Sequence, residues 1–440
     1  MFIRMGSMAA SDILHRFEVF LARQRDQFRE HGLKELKRKI KRLFNEIARL
    51  PILLLVLPFA LITVLIMRVI SPFYIVRFNR MIIWRIGHFA ANVELYLCEM
   101  DAGINRPEGH FIDVWYYPSV ECCNKQLLHM WKRLLHMGPG GLLAPIVWIN
   151  SLIPGGDIHQ IGNNTKGDID VHNLLDRFPP HLGWLPEEEK RGESGLRDLG
   201  IPEGAPFVCL LVRDSGYLHN QSPHLDWSRH DHRDCDIRNY IQAAQELAKR
   251  GYYVVRMGKI VKKALNVEHP MIIDYATNGM RSDFMDIYLG AKCAFCISNG
   301  SGFDAVPYIF RRPVLYVDYV PLGLIYTGSM RYISTTKKHW LRDQGRFMTF
   351  NEIFDRGLGY STHSGSFYDM GVELIESTPE EVTAAVLEME ERLNGTWETT
   401  KEDEELQRWF WEMFPESEWH GEIRSRIGAD FLQKHKGWFT

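Results

Sequence analysis

The stretch from Lys292 to Tyr319, KCAFCISNGSGFDAVPYIFRRPVLYVDY, leaves this chain few folds to choose from. Ala294 to Ile297 reads as a short apolar strand, and Ser298-Asn299-Gly300-Ser301-Gly302 as a turn of small residues. Phe303 to Phe310 then reads as a helix, and Pro313 launches a second strand, Val314 to Asp318. Strand, glycine turn, helix and strand make a βαβ unit, which requires a parallel pair and a crossover. A glycine turn at the end of the first strand lets backbone N–H groups face a ligand with no Cβ in the way. It also brings a helix N-terminus to the same spot, where phosphate is favoured. An ordinary turn whose serines cap a helix accounts for the same residues. Neither GxGxxG nor GxxxxGK[ST] occurs, so neither a dinucleotide site nor a nucleoside triphosphatase is indicated.

The 440 residues exceed what one core usually organises, so two cores are expected. A net charge of -3 gives no support to nucleic acid as a partner. The charge is uneven: Lys34, Lys37, Arg38, Lys39, Lys41, Arg42 and Arg49 crowd the start, and Glu402 to Glu405 form an acidic run. Cys293 and Cys296 have CxxC spacing but fall on an expected strand, which would point their thiols to opposite faces. The seven cysteines therefore read as small buried hydrophobes in a reducing compartment.

Residues 1–50 read as an amphipathic, basic helical region with no cleavable leader. Within 51–78, Pro51 to Met67 carries no charge, is short for a span and contains Pro58. Basic residues flank it on both sides, which argues against a simple crossing. A segment entering one leaflet, a true span and a buried helix all stay open, with membrane association the expectation. From Arg77 onward strands and helices alternate. Residues 79–200 are expected to form one α/β domain and 201–395 a second, both Rossmann-like, with closing helices in 396–440. Gly138 to Arg197, rich in Gly, Pro, Asn and His, reads as connecting loop.

In doubly wound sheets ligands bind beyond the carboxyl ends of the strands, and polar residues gather at those ends here. Arg213 follows the strand Pro206 to Val212. Arg256, Gly258 and Lys259 close the strand Tyr252 to Met257, and Ser298, Asn299, Gly300, Ser301 and Gly302 follow the βαβ strand. Cations converging on a glycine turn would hold a diphosphate. The His224 to Asp236 loop has the residue types of a metal site without a recognised ligand spacing, and reads as a capped, substrate-facing loop. In the first domain Arg85-Ile86-Gly87-His88 forms a second glycine turn before a helix. His88 there suits a general base, with Glu94 and Asp214 as rivals.

The segments RIGH (85–88), VRDSGYL (212–218), HDHRDCDIRNYIQAAQELAKRGYYVVRMG (230–258), MIIDYA (271–276) and DIYLGAKCAFCISNGSGFDAVPYIFRRPVLYVDY (286–319) together resemble a family of bacterial surface-polysaccharide glycosyltransferases. The resemblance covers roughly residues 80–440, and the glycine turn is more distantly similar to that of GT-B enzymes such as heptosyltransferases. It departs from those in having Asn299 where an aspartate is common, and in lacking their histidine after the glycine. The resemblance implies a GT-B-like pair of Rossmann-like domains behind an N-terminal helical, membrane-associated segment. It assigns Arg213, Arg256, Gly258 and Ser298 to Gly302 to a nucleotide-sugar donor, Arg85 and His88 to catalysis, and the last helices to a crossing back over the first domain. It further implies metal-independent transfer, with no cofactor, to a lipid-linked or saccharide acceptor at the cytoplasmic face of the bacterial inner membrane. Another polysaccharide-assembly transferase on the same fold, or a non-catalytic membrane-tethered scaffold, stays open.

Overall fold

The computed structural model describes residues 55–162, 168–221 and 226–439. The basic region 1–50 and residues 51–54 lie outside them, as does His224. The chain divides into two compact units, one drawn from residues 1–75 and 140–157, the other from 76–139 and 158–440.

In the smaller unit the described elements are helix α1 (55–70) and a helix that arises in the expected connecting loop. In the larger unit, β1 (Tyr74–Arg80, begun in the smaller unit) leads to α2 (Ile86–Asp101), β2 (His110–Tyr117), α3 (Lys125–Lys132) and β3 (His136–Pro139). Asn124 caps α3 by accepting from the Leu127 N–H at 2.9 Å. The three strands form a sheet in the order β1-β2-β3, with β2 and β3 parallel. This is smaller than the full Rossmann-like domain expected before residue 200. The region read as loop contains two helices, α4 (Gly140–Leu152) and α5 (Pro186–Asp198). Pro145, Gly140 and Gly141 masked α4, because all three normally signal a break.

The second half is a doubly wound domain. After β4 (Phe207–Leu211), α6 (Gly216–Gln221) and α7 (Ile241–Lys249) come β5 (Tyr253–Arg256), β6 (Ile272–Ile273) and α8 (Asp283–Lys292). The opening βαβ unit supplies β7 (Cys296–Ser298), α9 (Ala305–Ile309) and β8 (Val314–Tyr316), followed by β9 (Tyr332–Ser334). Strands β10 (Lys338–Leu341), β11 (Arg346–Phe347) and β12 (Val372–Ile375) make a small antiparallel sheet interleaved with α10 (Phe350–Asp355) and α11 (Ser364–Asp369). The chain closes with α12 (Pro379–Asn394), α13 (Lys401–Met413), β13 (Arg426–Ile427) and α14 (Ala429–Lys434).

The large sheet has the order β13-β9-β8-β7-β4-β5-β6, every neighbour parallel. The period of two sends Val208 and Leu210 to a core with α7 and α12, and Cys209 and Leu211 to the opposite face. That second core is continuous with Phe89, Leu127 and Trp131 of the first half. It also holds both Cys293 and Cys296, since Cys293 ends α8 rather than sitting on the strand. Among the described residues, the aromatic side chains of the closing helices pack into a core of their own. Phe410 is buried with Phe350, Phe414 and Phe431, and it is Glu422, in the segment between helices, that reaches Asn173.

Candidate active site

Strand order reverses between β4 and β7: from this pair the chain winds outward to β6 on one side and to β13 on the other. Neighbouring connections leave on opposite faces there, so a crevice opens at the carboxyl ends. Leu211 and Ser298 pair across it, which puts Arg213 and Asn299 side by side. Asn299, almost fully buried, accepts from the Arg213 N–H at 2.9 Å and donates to the Arg233 carbonyl at 2.9 Å. It ties three segments together, and both ends of its amide are already engaged.

The glycine turn is organised from within. Ser298, fully buried, donates to the Asp304 carboxylate at 2.9 Å and accepts from the Gly300 N–H at 3.2 Å. The Ser301 N–H donates to the same Asp304 oxygen at 2.9 Å. Two N–H groups expected to face a ligand thus face the turn itself. Gly300 has φ +82°, and a Cβ there would lie 2.6 Å from the Tyr319 ring. Burial raises the Asp304 carboxyl to about 7.

The two glycine turns meet directly. A Cβ on Gly87 would come 3.2 Å from the Gly302 Cα, and α2 packs along α9. Arg85, exposed at the N-cap of α2, and His88, half-buried in its first turn, are thereby delivered to the β7 crevice. His88 Nδ1 lies 3.8 Å from the carboxylate of Asp168 and makes no hydrogen bond among the described residues. Glu94 is not available as a base: fully buried, it binds Arg311 at 2.6 Å and His181 at 3.1 Å. Asp214 accepts from the N–H groups of Gly216 and Lys262, which fixes it as a loop clamp.

Cations converge on the loop before α7. Arg213 pairs with Asp234 and donates to the His230 carbonyl at 3.0 Å, and Arg233 donates to the Gly300 carbonyl. Arg229 lies over Trp227, and its Nε approaches His230 Nε2 at 3.1 Å. Burial, then the fields of Arg229, Arg213, Arg233 and Arg85, push His230 down to about 4. His232, pushed down by burial and by Arg233 and Arg213, sits at about 3. Both are neutral at pH 7, as imidazoles surrounded by guanidinium groups must be. Beside Asp234 opens a cavity of about 250 Å³, lined among others by Val212, Ser215, Ile237, Lys262 and Lys263.

Of the residues expected here, Arg85, His88, Arg213, Ser298, Asn299, Gly300, Ser301 and Gly302 come together. Arg256 does not: only 1% exposed, it binds Asp274 at 3.0 Å and the Lys263 carbonyl at 2.9 Å, and so holds the loop after β5. Gly258 packs against Val261, and Lys259 is exposed with its field on Cys122 and Cys123. Arg233, Arg229, Asp168 and Asp304 join the site from outside the expected set. The first two lay in the loop read as substrate-facing, while Asp168 stood in apparent connecting sequence.

Among the described residues two groups have donor sets for a metal, Glu94–Cys98–His181 and Cys235–Asp318–Glu376. A side-chain cation accompanies each. Arg311 contacts Glu94 and Cys98, and Lys337 stands 3.9 Å from Glu376. The His224–Asp236 loop contributes only Cys235 to these groups.

No protein-family model matches this chain, nor does any curated protein. Among solved structures it is similar to the Escherichia coli ADP-heptose lipopolysaccharide heptosyltransferase II, at 15% identity over 71% of this chain and 99% of that one, with a TM-score of 0.39. A family 9 glycosyl transferase from Veillonella parvula gives 10% identity over 55% and 79%, with a TM-score of 0.33. TibC from enterotoxigenic E. coli gives 11% identity over 73% and 77%, with a TM-score of 0.35. TibC is described as an iron-containing glycosyltransferase, and on that finding the expectation of metal independence is withdrawn.

Proposed function

We propose that this chain transfers a glycosyl group from a nucleotide-activated sugar to an acceptor hydroxyl, with the nucleoside diphosphate leaving. The observation that carries this reading is the convergence of Arg85, Arg213, Arg229 and Arg233 on a neutral histidine at the strand-order reversal. Asp234 engages Arg213, Asp231 also acts on it and Arg229 acts on Asp226, while Arg85 and Arg233 make no ion pair among the described residues and call for an anion. Guanidinium donors already in place stabilise charge as it builds on the departing phosphate oxygen. The acceptor oxygen attacks the anomeric carbon and the bond to the diphosphate breaks, its electrons leaving with the phosphate. The acceptor proton passes to His88, with Asp168 stabilising the imidazolium. The cavity beside Asp234 takes the nucleoside.

The finer reading is addition to a lipid-linked acceptor during surface-polysaccharide assembly, at the cytoplasmic face of a bacterial inner membrane. The uncharged run after Pro51 and the basic residues before it support that reading. Calorimetric titration with ADP, GDP, UDP and CDP tests the site, paired with hydrolysis assays on the matching activated sugars. One diphosphate is expected to bind, and Arg233→Ala to weaken it about 10- to 150-fold, the worth of one charge-assisted hydrogen bond. Absence of binding, or binding untouched by Arg213→Ala and Arg233→Ala, overturns the reading. Binding without hydrolysis or transfer of any activated sugar would favour a scaffold.

A further inference from the structure

We infer that α1 and α4 form a lipid-immersed unit that enters one leaflet of a bilayer without crossing it. This deepens the membrane part of the reading above and stands apart from sugar transfer. Helix α4 has no charged residue, and residues 55–70 contain one, Arg68. Large apolar side chains stand exposed on both: Leu55, Phe59, Ile66 and Val69 on α1, Leu142 and Leu152 on α4.

The polar groups are what select hydrocarbon over water or a docked protein. Apart from the indole N–H of Trp148, which is half-exposed, the side-chain polar groups of residues 55–70 and α4 are Thr63, Arg68, Asn150 and Ser151, and each of these four is engaged inside the unit. Thr63 donates to the Phe59 carbonyl at 2.9 Å and Ser151 to that of Trp148 at 2.7 Å. Arg68 donates to Asn150 Oδ1 at 2.9 Å and to the carbonyls of Asn150, Ile153 and Pro154 at 3.0 to 3.2 Å. The Asn150 amide donates to the Gly156 carbonyl at 3.0 Å. In water the last carbonyls of a helix are solvated without assistance. In hydrocarbon each needs an internal donor, and here the Arg68 guanidinium reaches the Asn150 carbonyl in the last turn of α4 and the two carbonyls of Ile153 and Pro154 just beyond it.

Length sets the depth. Thirteen residues of α4 span about 20 Å, short of a core about 30 Å thick, and the chain is back in the larger unit by residue 158. No helix among the described residues is long and apolar enough to cross a membrane. The cations between Lys34 and Arg49 match an anionic lipid surface.

The test uses the full chain with Leu152→Cys or Leu142→Cys carrying an environment-sensitive fluorophore, titrated with phosphatidylglycerol–phosphatidylcholine vesicles. A blue shift at both positions, with flotation on the vesicles, is expected. Leu142→Glu/Leu152→Glu should lower vesicle partitioning at least tenfold. These side chains are exposed, so near-ultraviolet dichroism should match the parent. Partitioning equal to the parent in the folded double variant, or no shift at saturating lipid, overturns the inference. So does a shift that arises without lipid as the chain self-associates. Nucleotide titration of the same proteins reports separately on the transferase reading.

Discussion

Asp304 offers a test in which charge can be removed while shape and hydrogen bonds are kept. Ser298 Oγ and the Ser301 N–H both donate to a single carboxylate oxygen, so in Asp304→Asn the amide oxygen can occupy that position and accept both. Burial raises this carboxyl from an ordinary 3.8 to about 7. Between those values the folded chain holds a proton that the unfolded chain has lost. Stability must therefore fall as pH rises from about 4 to about 7. At about 1.36 kcal/mol per pH unit the full effect is about 4 kcal/mol, of which about 3 kcal/mol falls between pH 5 and pH 8. The asparagine has no proton to lose. Urea unfolding of both proteins at pH 5 and pH 8 isolates this residue, because Asp286 and Asp318, both raised by burial to about 6, titrate in each. The variant is expected to gain about 3 kcal/mol on the parent across that interval. A stability difference unchanged from pH 5 to pH 8 would refute the argument that the turn encloses a protonated carboxyl.

His88→Ala should lower turnover about 100- to 10,000-fold while donor affinity in calorimetry stays near that of the parent, and Asp168→Asn should move the same parameter less. Gly300→Ala forces φ +82° on a Cβ that meets Tyr319, and should cost about 2 to 3 kcal/mol in denaturant unfolding. Arg311→Met takes the guanidinium from the buried Glu94 and leaves His181 as its partner, and should cost about 3 kcal/mol, the low end for a broken buried pair, by the same assay.

Local order was legible in the residues themselves. The apolar run, small-residue turn and proline-led strand around Ser298 determine a βαβ unit, because strand period, glycine freedom and the stiffness of proline act within a few residues. The same locality explains the misreadings. Pro145 and two glycines signalled loop where α4 forms, since a proline removes a single backbone hydrogen bond and the rest of the apolar run stays helical around it. Arg213 and Arg256 looked alike at two strand ends, yet one faces the crevice and the other is closed in by Asp274. Arg233, Asp168 and the contact of Gly87 with Gly302 depend on pairings separated by tens to hundreds of residues, fixed when β4 lies beside β7 and α2 beside α9. Sequence determined which segments could bend, cap and carry charge. Tertiary packing decided which charges stayed in reach of a ligand, because burial and pairing belong to neighbours in space rather than along the chain.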